Sequence, residues 1–165
     1  MFKKKVILSS GKASNYYIDL RRVSLSSEGI YLISRLIWNE IKKDNVTAIG
    51  GMTLGADPIV SGVCMVARKY KKDLKGFLIR KAPKTHGRQK LIEGKELTSR
   101  DKAVIVDDVA TSGSSLIKSI EVLKRYNVKI AKVIVVVDRE EGARENLSSL
   151  GYSLCSLFTT QDIVK

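Results

Sequence analysis

The sequence predicts an α/β fold, a mostly parallel twisted sheet flanked by helices, and three observations predict it. Short apolar runs recur at 46–49, 76–79, 103–106 and 132–137, at a length that suits buried strands better than helices. Most intervals between them carry apolar residues at helical spacing, and strands that alternate with helices imply a parallel sheet covered on both faces. The third observation is the stretch AVIVDDVATSGSS, residues 103–115. There an apolar strand runs into two carboxylates, then a Thr/Ser/Gly loop, then a helix. In open sheets of this kind, ligands bind beyond the carboxyl ends of the strands.

Taken in order, the chain first presents Ser9-Ser10-Gly11 and Asn15-Tyr16-Tyr17-Ile18-Asp19-Leu20-Arg21. Tyr17, Asp19 and Arg21 alternate with Tyr16, Ile18 and Leu20, which predicts a short strand. Residues 26–43 read as a helix. Ser26 or Ser27 caps it, Glu28 suits the first turn, and Ile30, Ile33, Ile37 and Ile41 form a core stripe widened by Leu36. The strand at 46–49 delivers the chain to the loop Gly50 to Pro58, whose glycines permit close backbone approach. Pro58 suits the first turn of the next helix, with Asp57 near its cap. That helix buries Ile59, Val63 and Val66 and ends near Tyr70.

The strand at 76–79 ends in Arg80 and Lys81. The run from Pro83 to Lys90 has no apolar anchor until Leu91, and it reads as a mobile loop. Arg80, Lys81, Lys84, Arg88 and Lys90 concentrate positive charge there, beside the only histidine, His86. Charge of that density next to a glycine loop suits a pyrophosphate; a plain surface loop has the same composition. After the central motif come a helix from Ser114 to about Tyr126, a strand over 131–137, a helix over about 141–149 and an edge strand over 152–158. Arg139 follows the strand at 131–137. It is either an ion-pair partner for the adjacent acids or a paired hydrogen-bond donor to a ligand carboxylate.

The central motif carries the chemistry. Loop amides and the N-terminus of the following helix present N–H groups that suit a phosphate. Thr111, Ser112, Ser114 and Ser115 add hydroxyl donors, and Gly113 removes a Cβ from the approach. Asp107 and Asp108 would repel a phosphate. As acceptors they suit the diol of a ribose, with or without a bound Mg²⁺. The pocket therefore reads as one for a ribose 5-phosphate, and the competing reading is a solvated turn with a helix cap.

VIVDDVATSGSS resembles the phosphoribosyl-pyrophosphate (PRPP) motif of the type I phosphoribosyltransferases. SSGKASNYYIDLR (9–21), GGMTLGADPI (50–59), RKAPKTHGRQKLIEG (80–94) and VDREEGA (137–143) resemble the orotate branch of that family. The resemblance implies the type I fold over residues 1–165 as one domain, with residues 1–25 forming a reduced hood over the base. It implies transfer of phosphoribose from PRPP to orotate in pyrimidine nucleotide biosynthesis, with Mg²⁺ as cofactor. Asp107, Asp108, Val109, Ala110, Thr111, Ser112, Gly113, Ser114 and Ser115 would bind the ribose phosphate, and Thr53, Leu54 and Gly55 the pyrophosphate. Lys84 and His86, with Arg80 and Lys81 at the lid base, would act in catalysis, the lid closing over the neighbouring subunit of a homodimer. Arg139, Thr111, Tyr16 and Tyr17 would meet orotate. No direct protein ligand to the metal is implied beyond Asp107 and Asp108 acting through water. Some members carry a lysine where Ser9 stands. The alternatives are a non-catalytic PRPP-binding regulator and a transferase for another base.

Composition narrows the setting. A chain of 165 residues suits one domain, and 44% hydrophobic residues supply a core. No apolar run is long enough to span a membrane, and the start MFKKKVILSSGKAS has too short an apolar segment for a signal peptide. Cys64 and Cys155 show no metal or redox spacing and read as reduced core residues, which suits the cytoplasm. The formal charge of +13 suggests an anionic partner. Scattered lysines favour a solvated basic surface over nucleic-acid binding.

Overall fold

The computed structural model describes residues 6–7, 13–14, 18–82 and 90–163. The elements are β1 (Val6–Ile7), β2 (Ala13–Ser14), α1 (Arg21–Ser24), α2 (Ser27–Ile41), β3 (Ala48–Met52), α3 (Ala56–Lys69) and β4 (Lys75–Ile79). They continue with β5 (Ile92–Gly94), β6 (Lys102–Ala110), α4 (Ser114–Arg125), β7 (Lys129–Asp138), α5 (Ala143–Ser148), β8 (Leu154–Thr159) and α6 (Thr160–Ile163). The strands β1 and β2 form a small antiparallel pair. The others make a six-stranded sheet in the order β5-β4-β3-β6-β7-β8. All its neighbours are parallel except β5, which runs antiparallel to β4.

Burial on both faces explains the apolar runs. Val104 and Val106 of β6, with Ile134 and Val136 of β7, pack beneath α2 and α3. The alternate residues Ala103 and Ile105, with Val133 and Val135, pack beneath α4 and α5. Each central strand therefore needs apolar side chains at successive positions. In α2 the stripe Ile33, Ile37 and Ile41 is buried, and the Ser26 hydroxyl accepts from the Gly29 amide at 3.1 Å, closing the N-terminus as expected.

The structure departs from the sequence reading in four places. Residues 18–20 are not a strand and lead into the helical turn α1: Leu20 is buried, and its carbonyl accepts from the amides of Val23 and Ser24. A short alternation cannot outweigh the local turn that buries Leu20 and Ser24 together. Helix α3 starts at Ala56, with Gly55 at its N-cap, so Asp57 lies inside the first turn and does not cap it. The acidic pair lies within β6, not past it: Asp107 pairs with Val135 and Val109 with Val137. Finally β5, too short to carry a period, extends the sheet beyond β4.

Candidate active site

The strand order turns between β3 and β6. From β3 the chain crosses to β4, and from β6 it crosses the other way to β7 and β8. Adjacent loops diverge at such a point and leave a crevice beyond the carboxyl ends. The pairing shows the opening directly: β3 follows β6 only as far as Gly50 opposite Ile105, while β6 continues alongside β7 to Ala110. A cleft of about 730 Å³ lies there.

Thr53, Leu54 and Gly55 line it from the loop after β3, Lys81 from the end of β4, and Arg139 from the end of β7. Asp107, Asp108 and Val109 line it from β6, and Thr111, Gly113, Ser114 and Ser115 from the loop and the start of α4. Three other expected residues stand back. Ala110 is buried below the wall. The Ser112 carbonyl accepts from Asn146 at 2.9 Å. The Arg80 guanidinium reaches Glu93 at 3.4 Å and does not line the cleft. Tyr16, Tyr17, Lys84 and His86 lie outside the described residues.

Close packing joins the two loops. A Cβ at Gly55 would stand 2.5 Å from Asp108 Oδ1 and 2.6 Å from Asp107 Oδ1, so only glycine admits this approach. Gly113 sits at φ 76, the left-handed conformation that glycine adopts without strain, and makes the turn into α4. No side chain caps that helix, and its first residues, Gly113, Ser114 and Ser115, border the cleft.

The two carboxylates differ. Asp107 is buried; its Oδ1 accepts from the Asp108 amide at 2.9 Å and its Oδ2 from the Ser115 hydroxyl at 2.6 Å. Burial pushes its carboxyl well above the usual range; the Ser115 bond offsets part of this, and the neighbouring Asp108 charge adds to the rise. Asp108 is less buried, and its Oδ1 accepts from the Val109 amide at 2.8 Å. Asp107 therefore braces the site, and Asp108 is the more available acceptor. The Ser115 hydroxyl is turned inward, which leaves its amide for a ligand.

Arg139 is 5% exposed and pairs with Glu141 at 2.9 Å while lining the cleft. The ion-pair reading of this arginine is therefore seen, and the same residue borders the cleft. The loop that holds it is anchored by Asp138, which accepts from Arg144 Nε at 2.7 Å and from the Glu140 amide at 2.9 Å. The Arg139 amide itself donates to the Ala110 carbonyl at 2.9 Å.

Sequence reasoning missed Lys118, Asp19 and Arg21, which also line the cleft. Helical spacing could have found Lys118, since it lies one turn beyond Ser114 and Ser115 on the same face of α4. Nothing local marks Arg21, because its position depends on the unexpected turn α1. Among the described residues, no group of three or more His, Cys, Asp and Glu is arranged to hold a metal ion, and no helix is long and apolar enough to cross a membrane. Cys64 and Cys155 are free and partly buried against the core.

Comparison with known proteins agrees with this geometry. A family described as the phosphoribosyl transferase domain matches residues 60–150. The orotate phosphoribosyltransferase of Aquifex aeolicus is 41% identical over 157 residues, covering 95% of this chain and 85% of that protein. Its counterpart in Synechocystis sp. is 43% identical over 157 residues, covering 95% of this chain and 79% of that protein. The crystal structure of Mycobacterium tuberculosis orotate phosphoribosyltransferase in complex with PRPP has a TM-score of 0.78 at 30% identity, covering 98% of this chain and 90% of that one. This chain belongs to the orotate phosphoribosyltransferase family.

Proposed function

We propose that the protein transfers the phosphoribosyl group of PRPP to N1 of orotate, forming orotidine 5′-monophosphate and pyrophosphate. The observation that carries this reading is the convergence of an uncapped helix N-terminus, an acidic pair and a buried arginine on one cleft at the point where the strand order turns. In the transfer the C1–pyrophosphate bond breaks and a C1–N1 bond forms. The anomeric carbon gains positive character, so catalysis consists of stabilising charge where it develops and excluding water.

The first amides of α4, with the hydroxyls of Thr111 and Ser114, would hold the 5′-phosphate away from the chemistry, and that binding orients the reacting carbon. Asp108 would accept from the ribose hydroxyls, while Asp107 holds the local backbone. Thr53, Leu54 and Gly55 would meet the pyrophosphate, with Lys81 beside them and Lys84 and His86 closing over it. Arg139 would take the orotate carboxylate. As the C1–N1 bond forms the N1–H bond breaks, and the departing pyrophosphate, itself a base, can take that proton.

Mg²⁺ fits this donor set through substrate oxygens and water, with Asp108 the residue that would hold it, because both oxygens of Asp107 are already occupied by the protein. When bound it would neutralise negative charge on the pyrophosphate. The reading includes a homodimer whose lid is shared between subunits; the exposed Leu25, Leu32 and Leu36 on the α1–α2 surface suit a second copy. The free cysteines suit the cytoplasm.

The test is release of pyrophosphate from PRPP and Mg²⁺ with orotate, uracil, hypoxanthine and adenine offered in turn. Turnover with orotate alone is expected. Turnover with another base would overturn the base assignment, and PRPP binding with no turnover on any base would make the protein a regulator.

A further inference from the structure

We propose that the end of the sheet remote from the cleft binds single-stranded nucleic acid. Each crossover helix in this parallel sheet ends beside the start of a strand, so the helix C-termini gather opposite the cleft. The segments there are Lys42-Lys43-Asp44 after α2, Arg68-Lys69-Tyr70-Lys71-Lys72-Asp73 across the end of α3, Arg100-Asp101-Lys102 leading into β6 and Lys124-Arg125-Tyr126 across the end of α4. In every one the cations outnumber the carboxylates. Backbone hydrogen bonds make them neighbours: Lys75 donates to the Thr47 carbonyl, Thr47 to that of Lys102, and Lys129 to that of Asp101. The starts of β4, β3, β6 and β7 therefore form a continuous edge about 14 Å wide.

Helix dipoles account for basic residues in the last turns of α3 and α4. They do not account for Lys43, Lys71, Lys72, Arg100 and Lys129, which are exposed and lie beyond the helix ends. Nor do the nearby carboxylates neutralise them. Asp101 is paired with Lys75, Asp73 with Lys95 and Asp44 with Lys132. Much of the protein's positive excess is thus gathered on one face.

Two aromatic rings sit among these charges. Tyr70 is 56% exposed and stacks on the buried Trp38, with centroids 5.7 Å apart and planes 18° apart, so its outer face is held open to solvent. Tyr126 is 41% exposed beside Arg125. Between Lys42 and Lys72, with Trp38 in its wall, lies a concavity of about 240 Å³. Exposed cations that track a phosphate backbone, with exposed rings on which bases stack, are the combination that single strands require. A duplex keeps its bases stacked and would leave the rings idle; tyrosines also suit a membrane interface, so anionic vesicles are an arm of the test.

The test is fluorescence anisotropy of the full chain with labelled oligouridylate and oligothymidylate of roughly 20 nucleotides, between about 50 and 200 mM salt. Binding is expected, with log affinity falling against log salt at a slope of about −3, as for four or five phosphates. Lys69→Glu combined with Lys71→Glu and Lys72→Glu should weaken it at least about tenfold. Tyr126→Ala alone, and with Tyr70→Ala, should weaken it about fivefold or more without changing the slope. All variants should keep transferase turnover, which shows that they fold, and saturating PRPP should not displace the oligonucleotide. Displacement by PRPP would place the binding in the cleft and overturn the proposal. So would an absence of binding at low salt, indifference to the charge reversals, or tyrosine variants that bind normally while duplex or anionic vesicles bind equally well.

Discussion

Gly55→Ala isolates the contact on which the cleft depends. Gly55 has φ −59 and ψ −39, which alanine adopts freely, so the substitution introduces no backbone strain. What it introduces is a methyl group 2.5 Å from Asp108 Oδ1 and 2.6 Å from Asp107 Oδ1, where ordinary contact begins near 3.4 Å. The loop at 53–55 and the buried Asp107 must therefore separate by roughly 0.8 Å, because Asp107 has no free space into which to move. Asp107 cannot rotate away without breaking its bonds to Ser115 and to the Asp108 amide. A misplacement near 1 Å costs on the order of 10²-fold in rate, and overpacking costs about 1–3 kcal/mol of stability. Steady-state pyrophosphate release should show kcat/KM for PRPP reduced about thirtyfold to a hundredfold. Thermal unfolding should show Tm lowered by about 3–10 °C. Gly151→Ala is the control: at φ +81 with nothing within 4 Å of its Cβ, it should cost about 1 kcal/mol in stability and leave turnover unchanged. A Gly55→Ala enzyme with kcat/KM within threefold of wild type would refute the reasoning, since the two loops would then not need to touch.

Arg139→Ala should raise the orotate KM at least tenfold while leaving PRPP binding within about threefold, as loss of a charged hydrogen-bond partner predicts; equal losses for both substrates would mean that it only braces the loop through Glu141. Lys84→Ala combined with His86→Ala should cost more than about 1 kcal/mol in transition-state stabilisation, read as kcat/KM, and a smaller cost would remove the lid from the mechanism. Asp101 should set the acid limit of stability. Burial opposes its charge, but bonds from Lys75, the Thr98 amide and hydroxyl, and Thr47 win and hold its pKa down from 3.8 to about 2. The stabilisation, on the order of 2 kcal/mol, is present above pH 4 and is lost as pH falls towards 2. Asp101→Asn should therefore lower stability at pH 7 by about 2 kcal/mol or more and flatten the acid limb of a urea titration, whereas an unchanged limb would assign acid unfolding to other groups.

What the sequence made legible follows from where information is local. Strand β6 and helix α4 are legible because doubly buried strands demand apolar runs, and the tight left-handed turn into α4 demands glycine at 113. Ile33, Ile37 and Ile41 are legible because one helix repeats its demand every turn. The short β5 and the turn α1 are not, because each is set by partners distant in the chain or by a single burial event at Leu20. The same division runs through the site. Arg139 is visible in the sequence as a charged residue at a strand end, but its ion pair with Glu141 and its place in the cleft wall depend on the fold. Asp107 and Asp108 are adjacent and chemically identical in sequence. They acquire different roles only because the Ser115 hydroxyl turns back to one of them, and Gly55 presses against both. An eight-residue separation along the chain thus becomes the difference between a buried brace and an available acceptor. Substituting Ser115 should then affect the ribose end of the cleft through Asp107, in addition to any effect on phosphate affinity.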